Sequence, residues 1–346
     1  MMAAVGEPMV LDDAIVRALL PTREPRGHKG TSGKLLIVAG SIDYLGAHGQ
    51  QRGAGRAGAG LVRLAVPISL QPMVAGRVVE AVTIGLPETD IVGEVDASAA
   101  LDQLLDLDHD AALIGPGLRP GLSTVDLVLD YLSAVGERTP AVVDAEGLNS
   151  LSTVETWWER VGRPCVLTPH VGELTRLMAA AGDRFESIPD DLVLDDQVRV
   201  ATASSAAVTW GQVVVLKGAR TVIAGGEPDP SASAVAPFEN PALATAGTGD
   251  VLAGTIGALL AQGCSPVAAA RAGVYLHGAA GEVARERYGA AGVVASDLPD
   301  EIARVRRRLE LAAERARSGH RLGFEVGARP PGDDGAADTS QRGGAS

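Results

Sequence analysis

The most informative segment of the chain is Asn240-Pro-Ala-Leu-Ala-Thr-Ala-Gly-Thr-Gly-Asp250-Val-Leu-Ala-Gly254. Its glycines precede an apolar run with helical spacing: Val251, Leu252, Ile256, Leu259 and Leu260. A glycine-rich turn that enters a helix leaves backbone N–H groups unpaired and aimed at one point, with the positive end of the helix dipole behind them. The segment therefore predicts an anion hole formed by Gly247, Thr248 and Gly249.

Asp250 is unexpected in such a turn, because its carboxylate would repel a bound phosphate. The side chain is useful there if it removes a proton from a hydroxyl group as that hydroxyl attacks phosphorus. The alternative is that Thr248 or Asp250 merely caps the helix with its side chain. The sequence leaves both interpretations open, and we favour the catalytic base.

The composition argues against several classes of protein. The chain has 346 residues and a formal net charge of −13, which argues against a general nucleic-acid binder and against attraction to anionic lipid. No apolar run is long enough to span a membrane, and the N-terminal segment with Glu7 and Asp12 lacks the basic leader of a signal peptide. The two cysteines, Cys165 and Cys264, predict reduced thiols and a cytoplasmic location, and a disulfide between them is the alternative. Cys165 lies in an apolar run and is expected in the core.

Short apolar runs alternate with helical patterns along the chain. The runs are continuous, as in strands covered on both faces, and they predict strands at Lys34–Ala39, Leu61–Val66, Ala111–Ile114, Ala141–Val143, Pro164–Leu167 and Val213–Leu216. Helical patterns lie between them, for example at Ser123–Ala134 and Glu173–Ala181. This order predicts βα units and a mostly parallel sheet whose core is built from Ala, Val and Leu, since aromatic residues are only 3% of the chain.

The C-terminal part of the chain changes composition. Glu301–Arg317 has the pattern of a final charged helix, and from about Ala316 the sequence is rich in Gly, Asp, Ser, Arg and Pro. Such a segment has too little apolar surface to offset the cost of ordering its backbone. We therefore predict one domain over residues 10–315 and a disordered tail over residues 316–346.

Polar or glycine-rich turns follow four of the predicted strands. They are Gly115-Pro-Gly117, Asp144-Ala-Glu-Gly-Leu-Asn149, Thr168-Pro-His170 and Lys217-Gly-Ala-Arg-Thr221. In an open α/β sheet, ligands bind in the crevice beyond the carboxyl ends of the strands. Lys217 and Arg220 suit a phosphate or adenosine contact, although a solvated pair is the alternative. His170 taken alone is more often a structural residue.

Two glycine motifs do not predict the sites that they resemble. Gly53-Ala-Gly-Arg-Ala-Gly58 matches the dinucleotide fingerprint, but its strand follows the glycines instead of preceding them. Gly30-Thr-Ser-Gly-Lys34 approaches a P-loop, but Leu35 replaces Ser or Thr and a strand follows where a helix is needed. We therefore exclude both a nicotinamide-type Rossmann site and a Walker-type phosphate loop.

From about Val10 to about Ile302, the chain resembles the ADP/ATP-dependent NAD(P)H-hydrate dehydratase family, a branch of the ribokinase-like fold. The motifs that carry the resemblance stand in one order: His28-Lys-Gly-x-x-Gly33, Val38-Ala-Gly-Ser41, Tyr44-x-Gly-Ala47, Gly58-Ala-Gly-Leu-Val62, Ile114-Gly-Pro-Gly117, Val143-Asp-Ala145, Thr168-Pro-His170, Leu216-Lys-Gly-Ala219, Ala242 through Leu252, His277-Gly and Ala295-Ser-Asp-Leu298. The resemblance implies a three-layer αβα sandwich around a mostly parallel central sheet.

The same resemblance implies a repair reaction. The substrate would be the (S)-epimer of hydrated NADH or NADPH, and phosphorylation of its C6 hydroxyl would turn hydroxide into a good leaving group. Asp250 would be the base, and the N–H groups around Gly247–Gly249 would stabilise the phosphoryl group. Family correspondence places Ala47, Gly117, His170 and Asp250 against the hydrated dinucleotide. It places the nucleotide donor against Lys217, Gly218, Ala219, Arg220, Thr221 and Gly249.

The family also implies cosubstrates and partners. Mg²⁺ would bridge the phosphates of the donor, without a metal site of protein ligands. ADP is expected as the donor rather than ATP, because bacterial members generally use ADP and the Ala/Gly/Arg-rich composition suggests a bacterial chain. We expect a homo-oligomer, a homotetramer by resemblance, with no nucleic-acid or membrane partner. Many members carry an epimerase domain, and the start of this chain predicts that a separate NAD(P)H-hydrate epimerase supplies that step.

The sequence departs from the family pattern at three places, and it leaves two alternative functions open. His48–Arg56 carries Gly and Gln where the family has an Ala/Leu-rich helix, Val171 replaces a proline, and Glu146-Gly147 replaces Asp-Ala. These changes affect the expected shape of the substrate pocket. A ribokinase-like kinase for a hydroxymethyl heterocycle or a sugar would share the glycine turn and Asp250. A non-catalytic nucleotide-binding protein would share the fold alone.

Overall fold

A ten-stranded sheet forms the centre of the protein in the computed structural model, which describes residues 7–44, 47–134, 139–182, 192–225 and 233–322. The strands are β1 (Met9–Val10), β2 (Lys34–Val38), β3 (Leu61–Pro67), β4 (Val82–Leu86), β5 (Ala111–Ile114), β6 (Ala141–Val143), β7 (Cys165–Leu167), β8 (Val213–Leu216), β9 (Val222–Ala224) and β10 (Ala234–Val235). Their order in the sheet is β1-β10-β9-β8-β7-β6-β5-β2-β3-β4. The seven strands from β8 to β4 run parallel, and β9 is antiparallel to both of its neighbours.

Helices connect the parallel strands from β2 to β8, as βα units require, and further helices lie before β2 and after β10. They are α1 (Asp13–Leu19), α2 (Ala47–Arg56), α3 (Gln71–Ala75), α4 (Ala97–Leu105), α5 (Leu122–Ala134), α6 (Glu146–Leu151), α7 (Val171–Ala180), α8 (Asp196–Trp210), α9 (Thr248–Ala261), α10 (Pro266–Tyr288) and α11 (Leu298–Leu322). Short 3₁₀ turns at Trp157–Glu159, Pro241–Leu243 and Ala295–Asp297 complete the described elements.

The central strands are buried on both faces, and alternate residues of one strand enter two separate cores. Leu35 and Ile37 of β2 pack in the core that holds residues of α1, α2, α9, α10 and α11. Leu36 and Val38 pack in the core that holds residues of α4, α5, α6, α7 and α8. This division of side chains confirms the predicted mostly parallel sheet between two layers of helices.

The predicted elements match the structure closely in the middle of the chain. All six predicted strands are present with bounds within one residue, and the apolar run after Asp250 forms α9. The sequence did not predict β1, β4, β9 or β10, which lie toward the two edges of the sheet. The predicted end of the last helix at Arg317 was wrong, because α11 continues to Leu322. Residues 316–322 of the predicted tail are therefore helical, and residues 323–346 lie outside the described residues.

Three smaller expectations can also be compared with the structure. Both cysteines are free, and Cys165 is buried in β7 as expected of a core residue. The glycines of the Rossmann-like motif lie in and just after α2, before β3, so the exclusion of that site is confirmed. Within the described ranges, none of the helices has the length and apolar character needed to cross a membrane.

Candidate active site

The first turn of α9 has the geometry of an anion site. Gly247 precedes the helix with a φ of 85°, a left-handed conformation that glycine adopts without strain, and no side chain caps the helix. The Thr248 hydroxyl donates to the backbone oxygens of Leu243 at 2.7 Å and Thr245 at 2.9 Å. Oδ1 of Asp250 accepts a hydrogen bond from Gln50 Nε2 at 3.2 Å. The alternative that Thr248 or Asp250 caps the helix is therefore wrong. Among the described residues no side chain accepts from the first-turn N–H groups, although the Thr248 N–H donates to the Thr245 backbone oxygen at 3.3 Å.

The surroundings of Asp250 favour its neutral form. Burial and, secondarily, the nearby Asp144 carboxylate raise the pKa of Asp250 to about 6, although the Gln50 amide and the Lys217 ammonium act in the opposite direction. A carboxylate is ionised just above such a pKa and yet is a much better proton acceptor than an ordinary aspartate. Asp250 is therefore suited to remove a proton near neutral pH.

Lys217 brings a positive charge to the start of α9. It follows β8 directly, and its Nζ lies 2.8 Å from Asp144 Oδ1 and 3.6 Å from Glu173 Oε2. Burial by itself lowers the pKa of Lys217, but Asp144 and Glu173 outweigh burial and raise it, so the ammonium stays charged. Nζ is 3.7 Å from the point that a Cβ on Gly249 would occupy. The lysine and the N–H groups of the helix start can therefore contact the same anion.

A cleft of about 600 Å³ opens beside this lysine. Its polar rim comes from the turn after β8 and from the start of α9, and its apolar wall comes from the chain before α9 and from α10. The lining includes Lys217, Gly218, Ala219, Thr221, Phe238, Leu243, Thr248, Gly249, Leu252, Val274 and His277. An apolar wall with a few polar groups at one end suits a ligand that has a flat ring and a charged group.

Arg220 is the one predicted donor-site residue that does not line this cleft. Its guanidinium Nη1 lies 2.9 Å from Asp196 Oδ2 on α8, and its backbone N–H donates to the Phe238 oxygen. The backbone of Arg220 has a φ of 50°, which is uncommon for a residue with a side chain. The structure therefore gives Arg220 a place in holding the turn after β8.

Gly117 and Ala47, which the resemblance assigns to the dinucleotide, do not line the cleft and belong to the chain after β5 and after β2. Gly117 follows β5 with a φ of 70°, and a Cβ there would be 3.1 Å from the Tyr44 oxygen in the loop after β2. Ala47 begins α2, two residues before Gly49, whose Cβ position is 3.6 Å from Asp250 Cβ. The loops after β2 and β5 therefore meet next to the predicted base.

His170 stands at the end of β7 and caps α7. Its Nδ1 accepts a hydrogen bond from the Glu173 N–H at 3.2 Å, and its own N–H donates to Glu173 Oε2 at 2.8 Å. This reciprocal pair is a capping box, and it confirms the structural interpretation of the histidine. The side chain is nevertheless 54% exposed, so the ring is also accessible to a ligand.

Four functional candidates were not assigned by the sequence reasoning. Glu173 could have been found, because it stands three residues after His170 at the spacing of a capping box. His277 was noted only within a motif; it is buried, and its Nε2 lies 2.9 Å from the Thr248 oxygen. Burial lowers the pKa of His277 to about 4, so the neutral ring donates this hydrogen bond. Gln50 lies in the His48–Arg56 segment that departs from the family pattern, but it was given no role, and Arg199 gave no sequence signal.

The carboxylates of the site do not form a cage for a resident metal ion. In the part of the chain that the structure describes, no group of three or more His, Cys, Asp or Glu side chains is placed to hold a metal. Asp144 and Glu173 are already paired with Lys217. Mg²⁺ retains most of its water and is commonly bound through phosphate oxygens, so the donor set fits a magnesium ion that arrives with a nucleotide.

Comparison with known proteins gives the family of this chain. Residues 35–304 match the family model described as NAD(P)H-hydrate dehydratase. The chain belongs to the NAD(P)H-hydrate dehydratase family. A bifunctional NAD(P)H-hydrate repair enzyme of Moorella thermoacetica is 43% identical over 308 residues, which cover 88% of this chain and 55% of that protein. The ADP-dependent (S)-NAD(P)H-hydrate dehydratase of Xanthomonas campestris is 35% identical over 290 residues, which cover 84% of this chain and 93% of that protein.

Solved structures confirm the fold expected of the dehydratase family. The ADP/ATP-dependent NAD(P)H-hydrate dehydratase of Bacillus subtilis, co-crystallised with ATP and Mg²⁺, superposes with a TM-score of 0.72 and 30% identity over 87% of this chain and 99% of that one. A ribokinase-like superfamily protein of Enterococcus faecalis gives a TM-score of 0.70 at 21% identity over 89% and 99% of the two chains, which supports the fold alone. The chain spans about half the length of the bifunctional relatives that it matches.

Proposed function

We propose that this chain is an ADP-dependent (S)-NAD(P)H-hydrate dehydratase that restores NADH and NADPH from their hydrated forms. The observation that carries the proposal is the position of Asp250. Its carboxylate, with a pKa raised to about 6, stands in the uncapped first turn of α9, with the Lys217 ammonium close enough to influence its ionisation. A base, a cation and free N–H groups at one point are the parts that phosphoryl transfer to a hydroxyl group requires.

The reaction begins with transfer of the β-phosphoryl group of ADP. Asp250 takes the proton of the C6 hydroxyl while the hydroxyl oxygen attacks the β-phosphorus, and the bond from that phosphorus to the bridging oxygen breaks to release AMP. The lone pair of the ring nitrogen then expels the phosphate from C6, and loss of the C5 proton restores the double bond. The products are NAD(P)H, AMP and phosphate, so phosphorylation serves to replace hydroxide by a better leaving group.

The two sides of the site receive the two substrates in this proposal. The donor nucleotide binds in the cleft against Lys217, Gly218, Ala219, Thr221 and Gly249, with its phosphates at the start of α9. A magnesium ion bound to the donor would neutralise phosphate charge. Arg220, which is paired with Asp196, supports this binding through the turn after β8.

The hydrated dinucleotide binds next to Asp250, against Gly117, Ala47 and the exposed ring of His170. This arrangement places its C6 hydroxyl between the base and the donor phosphates.

ADP is proposed as the donor because the Xanthomonas relative, of which this chain covers 93%, is ADP-dependent. The name of the Bacillus structure allows both ADP and ATP. We further propose that the chain acts as a homotetramer in the cytoplasm and depends on a NAD(P)H-hydrate epimerase for the (R)-epimer. The bifunctional relatives support a link between this domain and a second repair activity.

A coupled measurement tests this function. The protein is incubated with hydrated NADH and magnesium, with ADP or ATP, and the return of dihydronicotinamide absorbance is followed together with AMP release. We expect one AMP per NADH, a higher kcat/KM with ADP than with ATP, and conversion that stops when the (S)-epimer is consumed. A stable phosphorylated product without NADH would instead identify a kinase, and binding without turnover would identify a non-catalytic nucleotide-binding protein. A preference for ATP would overturn the choice of donor.

A further inference from the structure

Helices α2 and α9 cross in direct backbone contact. A Cβ on Gly254 would lie 2.2 Å from the Gln50 backbone oxygen, and a Cβ on Gly53 would lie 2.7 Å from the Val251 oxygen. Both distances are too short for any side chain, so only glycine permits this crossing. The glycines that distinguish α2 from an Ala/Leu-rich helix therefore bring its backbone close to α9 and carry Gln50 to the predicted base.

The side chain of Gln50 is only half satisfied. It is fully buried, and its Nε2 donates to Asp250 Oδ1 at 3.2 Å, whereas its Oε1 is buried without a hydrogen-bond partner in the described part of the protein. The nitrogen must face Asp250 when Asp250 is ionised, because a carboxylate only accepts hydrogen bonds. A buried amide with an unused acceptor costs stability, and the hydrogen bond from its nitrogen to Asp250 offsets part of that cost.

The contact distinguishes the two oxygens of Asp250. Oδ1 is held by Gln50, while Oδ2 lies 3.9 Å from the point that a Cβ on Gly247 would occupy, toward the helix start. The charged groups that influence Asp250 are Asp144 at the end of β6 and Lys217 at the end of β8. From α10, the neutral His277 faces the Thr248 oxygen. The amide of Gln50 is thus the contact from α2 that fixes the direction of the carboxylate.

We propose that Gln50 is a positioning residue, which anchors Oδ1 of Asp250 so that Oδ2 faces the substrate hydroxyl, and which keeps the carboxylate ionised at neutral pH. This inference rests on the proposed function for its catalytic part, since the anchored oxygen matters only if Asp250 is the base. The physical relation between the two side chains can be measured without any substrate.

The experiment compares Gln50→Leu and Gln50→Asn with the wild type and with Gln51→Leu. Leucine removes the hydrogen-bond donor. Asparagine keeps an amide but is shorter by one methylene, so Gln50→Asn can be measured if the Gln50→Leu protein does not fold. Gln51 is the matched control, because it is an equally buried glutamine on the same helix whose Oε1 also lacks a partner. The pKa of Asp250 is measured by ¹³C-carboxyl NMR, with Asp250→Asn to assign the signal, and kcat/KM is measured across pH.

Both Gln50 variants should raise the pKa of Asp250 by about one unit, because a donor to the charged form is lost. They should also lower kcat by about tenfold, because the Asp250 carboxylate is no longer held in one orientation. KM for ADP should be unchanged. Gln51→Leu should change neither quantity. An unchanged Asp250 titration in the Gln50 variants, or an equal shift in Gln51→Leu, would overturn the proposal. A wild-type protein without dehydratase activity but with the NMR shift would count against the proposed function and leave the contact established.

Discussion

Lys217 Nζ lies 2.8 Å from Asp144 Oδ1, and the two residues follow strands β8 and β6, with β7 between them. Glu173, in the first turn of α7 after β7, adds a second carboxylate 3.6 Å from the same ammonium. Asp144 and Glu173 are both buried, so the lysine neutralises charge that the protein interior would otherwise leave unpaired. Lys217 therefore has a structural role in addition to any contact with a phosphate.

Comparing Lys217→Ala with the double variant Lys217→Ala/Asp144→Asn should separate the structural role of Lys217 from its role in binding ADP. The single variant should lose about 2–4 kcal/mol of unfolding free energy, because two buried carboxylates lose their cation. The double variant should regain part of that stability, since one of those carboxylates is now neutral. KM for ADP should stay raised by tenfold or more in both, as measured by steady-state kinetics beside thermal unfolding.

Lys34→Ala is the matched control, because Lys34 pairs with the exposed Asp108 far from the site. It should leave KM for ADP unchanged. If the double variant recovers a normal KM together with its stability, the lysine is structural only and the donor-site proposal fails.

Asp250→Asn should lower kcat by roughly two or more powers of ten, because the amide keeps the size of the side chain but cannot accept the proton. Stability should not fall. The folded pKa of about 6 is raised above the unfolded value of 3.8, so the favourable contribution of Asp250 is complete below pH 3.8 and is lost as pH rises through 6. At pH 7.5 the charged side chain is therefore a cost that asparagine removes.

Turnover and thermal unfolding of Asp250→Asn can be compared with those of Asp300→Asn. Asp300 pairs with Arg52 and Arg56 on the protein surface, so its variant controls for loss of a carboxylate. Near-normal turnover in Asp250→Asn would refute the assignment of the base.

The activity should depend on pH through Asp250. Below a pH of about 6 the carboxylate is protonated, so kcat/KM should fall about tenfold for each further unit of acid. His277 does not cause this acidic limb of the pH profile, because burial lowers the pKa of His277 to about 4. The limb should also persist in His170→Asn, which removes the imidazole at the end of β7. A profile that is flat down to pH 5 would contradict the proton transfer to Asp250.

Local patterns in the sequence were enough to predict the central strands and the start of α9. Continuous apolar runs are a direct consequence of burial on both faces, and the glycines before Asp250 determine the turn that enters α9. Three of the missed strands lack a long, buried apolar run, because β1 and β10 have two residues each and β4 is partly exposed.

The contacts between distant segments could not be predicted from local patterns. Gln50 and Asp250 are separated by 200 positions and meet only because glycines let α2 approach α9. Arg199 likewise donates from α8 to the Leu216 oxygen at 3.2 Å and supports the turn that carries Lys217. Such contacts depend on how the helices pack, and local sequence patterns do not indicate which helices pack against each other.

His170 can be tested through its two separate features. His170→Ala should lose about 1 kcal/mol of unfolding free energy, because α7 loses its capping side chain. His170→Asn should retain most of that stability, since asparagine caps well, but it should raise KM for the hydrated dinucleotide if the exposed ring binds it. Equal KM values for the wild type and His170→Asn would leave the histidine with its capping role alone.

Gly249→Ala should separate the anion site from the stability of α9. A Cβ at this position would have its nearest neighbour, Lys217 Nζ, at 3.7 Å, which is ordinary contact, so the variant should fold. Replacing a helical glycine by alanine should even raise the unfolding free energy by up to about 1 kcal/mol. The added methyl group nevertheless occupies the space through which phosphate oxygens approach the first-turn N–H groups. KM for ADP should therefore rise tenfold or more.

The matched control for this prediction is Gly55→Ala. Gly55 is an exposed glycine in α2, and a Cβ there would meet no atom closer than Gln51 Nε2 at 4.0 Å. It should show a similar gain in stability with an unchanged KM for ADP. If Gly249→Ala is equally stabilised and binds ADP normally, phosphate does not approach the first turn of α9, and the anion hole at Gly247–Gly249 must be abandoned.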